Sequence, residues 1–148
     1  MGAEQEITDL LKTFAETFSR RDVDAVGQTF ARDDTLLFYG THENIHFVGW
    51  TGVEASLRKQ CELMDSIKVE IDTSTMMLHM LPGGQAACVA IPAMSFWGKN
   101  KHHQLGASNI RMTCVVERRE GQWVFVQMHW SLPDALAIAR LGTGPKYW

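Results

Sequence analysis

The 148-residue sequence lacks any run of five or more basic residues, and its formal charge is only −3. It therefore carries no electrostatic footprint for nucleic acid. It also lacks an apolar run approaching the length of a membrane span, so no membrane partner is expected. The start, Met1-Gly2-Ala3-Glu4-Gln5-Glu6, is acidic and has no apolar centre of the kind a secretory signal needs. Glu6 stands where a myristoylation signal wants Ser or Thr. Cysteine is scarce. Cys61, Cys88 and Cys114 are widely spaced in apolar contexts and read as buried free thiols in a reducing compartment, so a cytoplasmic location is expected. Internal repeats, low-complexity segments and linkers are absent too. The length suits a single domain over 1–148, a size that buries roughly 70% of its unfolded surface.

What is present is organised around residues 109–133, NIRMTCVVERREGQWVFVQMHWSLP. Two runs rich in β-branched and aromatic residues flank a charged break ending in Glu120-Gly121. This is the pattern of a β-hairpin with a two-residue turn. Such a turn pairs Arg119 with Gln122, and counting back sets Arg111 opposite Trp130. A three-residue turn would set Arg111 against His129 instead. Strict alternation puts Val124, Val126, Met128 and Trp130 on one side of the last strand. Trp123, Phe125, Gln127, His129 and Ser131 fall on the other. Both sides carry large apolar residues, so both are expected to be covered. Helices of the same chain can cover one. A second subunit is expected on the face bearing Trp123, Phe125, Gln127 and His129, making a homodimer through the sheet.

The rest of the chain reads in order. Ile7, Leu10, Leu11, Phe14 and Phe18 recur at helical spacing within 4–20. Asp22 can cap a second, short helix reaching residue 30. Residues 35–39 form a strand, and 52–64 a third helix with Val53, Leu57, Cys61 and Met64 on one face. From Ser66 the period becomes two, in a strand whose far limit is Leu81. Pro82-Gly83-Gly84 turns it into a strand over 85–97, and a turn at 98–101 leads to a strand over 104–118. A last strand ends ahead of Pro133, and a tail runs on to Trp148. Helices first and antiparallel strands afterwards indicate an α+β class, three N-terminal helices on one face of a curved antiparallel or mixed sheet.

Motifs with chemical content are few. His42-Glu43-Asn44-Ile45-His46 matches the H-E-x-x-H zinc pattern, whose mechanism needs both histidines on one helical turn. Here Ile45, Phe47 and Val48 favour extended backbone, where residues four apart cannot share an ion. No third ligand is placed by the sequence, so neither a metal nor a cofactor is expected. His129 and Ser131 share a strand face, but no acid orients the histidine and no elbow motif surrounds the serine, which removes a hydrolase triad. His102-His103 beside a turn reads as a solvated pair. Met76, Met77, Met80, Met112 and Met128 read as adaptable packing residues. Trp50, Phe96, Trp97 and Trp130 suit either core or pocket wall.

The order helix, helix, strand, helix, long sheet resembles the SnoaL-like branch of the nuclear transport factor 2-like superfamily, over about 6–133. Gly40-Thr41, Gly49, Arg111, Thr113, Gly121, Trp123, His129, Ser131 and Pro133 carry the likeness. The run EGQWVFVQMHWS is also similar to the association domain of calcium/calmodulin-dependent kinases. The resemblance implies a cone-shaped, cystatin-like fold with a pocket between sheet and helices, and dimers formed through the sheet. It implies no single function, because this fold hosts isomerases, cyclases, hydrolases and assembly domains. Segment FAETFSRRDVDAVGQTFARDDT resembles the two-helix start of ketosteroid isomerase. The resemblance sets that enzyme's oxyanion tyrosine on Phe14, its aspartate base on Phe38 and its second oxyanion acid near Asn109. Neither phenylalanine can move or donate a proton, and the amide is no acid, so isomerase chemistry of that type is not expected.

Arg111, inside an otherwise apolar strand, needs an anionic or carbonyl partner. That partner is either a ligand or an internal acid such as Asp34. In the register that sets it against Trp130, Arg111 projects into the pocket. The kinase association domain that this run resembles has a pocket arginine at the same strand position. The candidate ligand-binding residues are Arg111, Asn109, Trp130, Phe14, Phe38, Trp97 and Tyr39. Together they suit a small apolar molecule with a carboxylate or carbonyl. Three functions stay open at this point: a small-molecule-binding domain, a small cofactor-free isomerase, cyclase or hydratase, and a purely structural oligomerisation domain. The sequence names no catalytic residue.

Overall fold

Helix α1 (Ala3–Ser19) turns the stripe Ile7, Leu10, Leu11, Phe14 and Phe18 inward, all of them buried. Asp22 caps α2 (Val23–Gly27) by accepting from the Ala25 N–H at 3.0 Å. Helix α3 (Trp50–Leu63) begins two residues earlier than its periodicity predicts, at the tryptophan that follows Gly49. Arg21 donates to the Met64 carbonyl at 2.6 Å and the Cys61 carbonyl at 3.2 Å. It so ties the α1–α2 corner to the C-terminal end of α3, where a cation suits the helix dipole. The computed structural model describes residues 2–133, and the tail over 134–148 lies outside the described residues. None of the described helices is long and apolar enough to cross a membrane.

The strands are β1 (Leu37–Tyr39), β2 (His46–Val48), β3 (Ser66–Ile71), β4 (Met77–Met80), β5 (Ala86–Lys99), β6 (Gln104–Arg119) and β7 (Gln122–Ser131). They form one seven-stranded sheet in the order β2-β1-β7-β6-β5-β3, with β4 also on β5. Only β1 against β7 is parallel, so the sheet is mixed. The strand read as reaching toward Leu81 is broken at Asp72. Its carboxylate accepts from the Ser74 N–H at 3.0 Å and caps a 3-10 turn over Thr73–Thr75. The chain resumes as β4, and β3 and β4 pair with different halves of β5. Between those halves the β5–β6 register shifts twice, next to Pro92 and Asn109. Proline cannot donate to a ladder, and Asn109 has φ 57, so both residues favour a bend there. The bend curves the sheet around the helices, giving the α+β architecture expected from the order of elements.

The closing hairpin has its two-residue turn. Arg119 pairs with Gln122, and Glu120 and Gly121 both have positive φ, the backbone of a type I′ turn. The register farther along is different from a straight count. Val115 pairs with Gln127 but Val116 pairs with Phe125, so Val126 is an extra residue, a β-bulge. Its physical cause is a change of partner. The Phe125 backbone pairs with the segment before β1, accepting from the Ala31 N–H at 2.9 Å and donating to the Thr29 carbonyl at 2.8 Å. From Leu37↔Gln127 onward β7 pairs with β1 instead.

One inserted residue reverses the side-chain alternation. Trp123, Phe125, Met128 and Trp130 all face the helices and are buried. Val124 and Val126 face the other way, covered by Ala31 and partly by Val115. The face expected to be covered by a second subunit therefore does not carry Trp123 or Phe125. Those two are core residues of the chain itself, at 6% and 0% exposure.

Candidate functional site

The interior between helices and sheet is built from aromatic rings. Phe14 is its hub, with ring centroids 5.9 Å from Phe18, 5.8 Å from Phe30, 5.6 Å from Phe125 and 6.1 Å from Trp130. Phe38 lies 6.1 Å and Phe96 6.5 Å from Trp130. The Trp50 ring stacks on Phe30 at 5.8 Å. Phe96 and Trp50 are half-buried, so the cluster reaches the surface at those two rings. Such contacts contribute beyond their area burial.

Polar groups are scarce in this interior. Among the described residues the buried polar side chains are Thr17 and Thr29. Both hydroxyls donate to helix carbonyls, Thr17 to Thr13 at 2.7 Å and Thr29 to Val26 at 2.6 Å. The Trp130 indole is different. Its ring is buried and its Nε1–H has no acceptor among the described residues. A buried donor left in this state costs about 1–3 kcal/mol.

The structure brings together Phe14, Phe38 and Trp130 and separates the other candidates from them. Arg111 lies opposite Ser131, not Trp130 or His129, and is exposed on the outer face. The Val126 bulge moves it there, and it has no ion pair with Asp34 or any other described acid. Asn109 is exposed at the β6 bend. Trp97 pairs with Lys68 on the outer face and is 40% exposed. It lies over Gly106, where a β-carbon would run into the indole. Tyr39 is 56% exposed, also on the outer face.

That outer face has its own organisation. One cross-strand row runs His46, Tyr39, His129, Thr113, Ala90, Met77 across β2, β1, β7, β6, β5 and β4. The Tyr39 ring lies 6.0 Å from His46 and 5.7 Å from His129. The next row carries Val48, Leu37, Gln127, Val115, Cys88 and His79. An open groove of about 360 Å³ runs along β4–β6, lined by Met77, His79, Cys88, Ala90, Thr113 and Val115 among others. Leu37 and Val48 face each other at one side of this face, 46% and 77% exposed, and Met77 is 59% exposed at the other, on β4.

The H-E-x-x-H stretch is a hairpin corner. The Ile45 N–H donates to the His42 carbonyl at 2.9 Å, and His46 begins β2. The two histidines therefore do not sit on one helical turn. His102 and His103 are exposed, as expected, and the Asn100 carboxamide oxygen accepts from both their backbone N–H groups, at 2.9 and 2.8 Å. The thiols are free, and Cys61 and Cys114 are buried, but Cys88 is exposed in the groove. Burial pushes the Cys114 thiol up to about 12. At the hairpin end, Glu6 accepts from Trp123 Nε1 at 2.8 Å and pairs with Arg118, whose guanidinium lies 5.1 Å from the Trp123 ring. This clasp fixes the first turns of α1 to β6 and β7.

The profile of the SnoaL-like domain family matches residues 7–135. No curated protein matches the sequence. Among solved structures, a Xanthomonas campestris protein assigned as a calcium/calmodulin-dependent protein kinase II association domain is 19% identical. It aligns over 92% of this chain and 91% of its own, with a TM-score of 0.74. A nuclear transport factor 2-like superfamily protein from Salmonella enterica is 18% identical over 90% and 92%, with a TM-score of 0.73. A Novosphingobium aromaticivorans protein assigned as an aromatic ring hydroxylase is 19% identical over 88% and 90%, with a TM-score of 0.75. At these identities the likeness is one of fold. Helices on a bent mixed sheet, an aromatic interior and a family profile spanning most of the sequence lead to one assignment: the chain belongs to the SnoaL-like domain family.

Proposed function

We propose that this chain is a small-molecule-binding domain that takes a small apolar ligand into the aromatic interior between α1 and the sheet. The observation that carries the reading is the ring cluster around Trp130, which runs from the deep core at Phe14 to the half-buried Phe96. Aromatic walls with few polar groups suit a ligand of mainly apolar surface. Binding stands ahead of turnover because the described buried polar side chains are two threonine hydroxyls, neither of which titrates near neutral pH. The three free thiols support a reducing, cytoplasmic setting. A thermal-shift screen of neutral and acidic bicyclic aromatics tests the reading. Saturable stabilisation by at least one compound is expected, and none across the screen would contradict it.

We also propose that the domain works as a homodimer, a second copy covering the outer face around Leu37, Tyr39, Val48 and Met77. Their exposure is the supporting observation. The same face favours the second functional reading, a structural oligomerisation domain. A dimer that binds nothing in the screen would favour that reading over the first.

A further inference from the structure

Among the described residues two buried side-chain donors lack an acceptor, Arg118 Nε at the Glu6 clasp and Trp130 Nε1 in the aromatic interior, and the ligand class follows from the second. We propose that the Trp130 indole N–H is the hydrogen-bond donor that orients the bound molecule, and that this molecule is neutral: a flat apolar body with one ketone, quinone or ether oxygen. The inference rests on the binding reading above and narrows it.

Three observations point the same way. The Nε1 atom is buried without a partner among the described residues, in a side chain only 8% exposed. A native interior rarely leaves such a donor empty unless something else supplies the acceptor. The Phe14 ring, inclined at 73° and 6.1 Å away, offers at best a weak aromatic acceptor. Second, the described core around the indole is apolar throughout and holds no cation. An anion brought there would lose its hydration without gaining a partner, and Arg111 is on the far side of the sheet. The carboxylate anchoring expected from Arg111 is thus replaced by a neutral acceptor on Trp130. Third, the neighbours can adapt. Met112 lies directly across the ladder from Trp130, and Met128 shares its strand face. Unbranched thioether side chains re-pack readily around a flat guest. Phe96, half-buried beside the indole, marks the side from which a ligand would enter.

The test uses three probes of near-equal shape, 2-acetylnaphthalene, 2-ethylnaphthalene and 2-naphthoate, titrated calorimetrically into the full chain and into Trp130→Phe. The ketone should bind the wild type and lose about three- to tenfold in affinity in the variant, the worth of one neutral hydrogen bond. The hydrocarbon should bind both proteins alike, and the carboxylate should bind weakest. Indole ¹⁵N–¹H spectra of the wild type give a second readout that does not depend on the variant folding. Of the five tryptophan signals, that of Trp130 should move downfield with the ketone and not with the hydrocarbon. Equal losses for ketone and hydrocarbon, an unmoved Trp130 signal at saturation, or tightest binding of the carboxylate would each overturn the proposal while leaving a binding domain in place. If none of the three binds, the binding reading falls with it.

Discussion

Met112 and Trp130 face each other across the β6–β7 ladder, and Arg111 faces Ser131. The pairing separates two neighbouring residues by their consequences. Met112 is 1% exposed, so Met112→Ala should cost about 2–5 kcal/mol through lost burial and the cavity left behind. Arg111→Gln, at an exposed position with no ion pair to a described acid, should stay within about 0.5 kcal/mol. Urea unfolding of the two variants measures both. A large loss in Arg111→Gln would mean that the guanidinium has a buried partner.

The helices, the class and the closing turn were legible because each is a local signal. The stripe of α1, the Asp22 cap and the Glu120-Gly121 turn are specified within a few residues. The bulge at Val126 was not. Trp123, Val124, Phe125 and Val126 are four apolar residues in a row, so nothing in the run marks which side is inside. The decisive information is the backbone bonding of Phe125 to Thr29 and Ala31, nearly a hundred residues away in sequence. Of the candidate site, Phe14, Phe38 and Trp130 were found because large aromatics at core spacing point inward under either register or helical phase. Arg111, Asn109 and Trp97 lie on β6 and β5, whose registers the bulges reset, and Tyr39 directly follows the inward Phe38 on β1, so the two cannot share a face.

The interface variant should therefore be an outer-face residue. Phe125→Asp would place a charge among Phe14 and Phe30, and it is expected to unfold the chain rather than yield a folded monomer. Val48→Asp sits at a 77% exposed position. It should leave the fold intact and shift the protein from dimer to monomer in sedimentation velocity at micromolar concentration. A wild type that sediments as a monomer removes the dimer proposal.

Thiol labelling reads the same surface. Cys88 should react with a maleimide in the native protein, while Cys114, buried and with its thiol pushed up to about 12, should stay protected until unfolding. If a second copy covers the groove, the Cys88 rate should fall as protein concentration rises through the dimer range. A rate independent of concentration in a protein that does dimerise would place the interface elsewhere.

Asp33 supplies a pH signature. Its carboxylate accepts from the Thr35 hydroxyl and backbone N–H and pairs with Arg119 at 2.6 Å, which holds its pKa below the ordinary aspartate value of 3.8. A depressed carboxylate stabilises the fold above its unfolded pKa, and this contribution is lost as pH falls through the folded one. Wild type and Asp33→Asn should thus differ by a constant amount above about pH 5 and converge below pH 3.8. A difference that persists unchanged to about pH 2 would mean that the carboxylate charge is not what matters.

The central claim is that a small apolar molecule binds on the helix side of the sheet. Methyl spectra of ¹³C-methionine-labelled protein, titrated with 2-acetylnaphthalene, test it most directly. Met112 and Met128 are buried on the helix side, at 1% and 0% exposure, and Met77 is 59% exposed on the outer face. The expected result is saturable movement of the Met112 and Met128 signals with that of Met77 unmoved. Movement confined to Met77, or no movement of any methionine at saturating ligand, would contradict it.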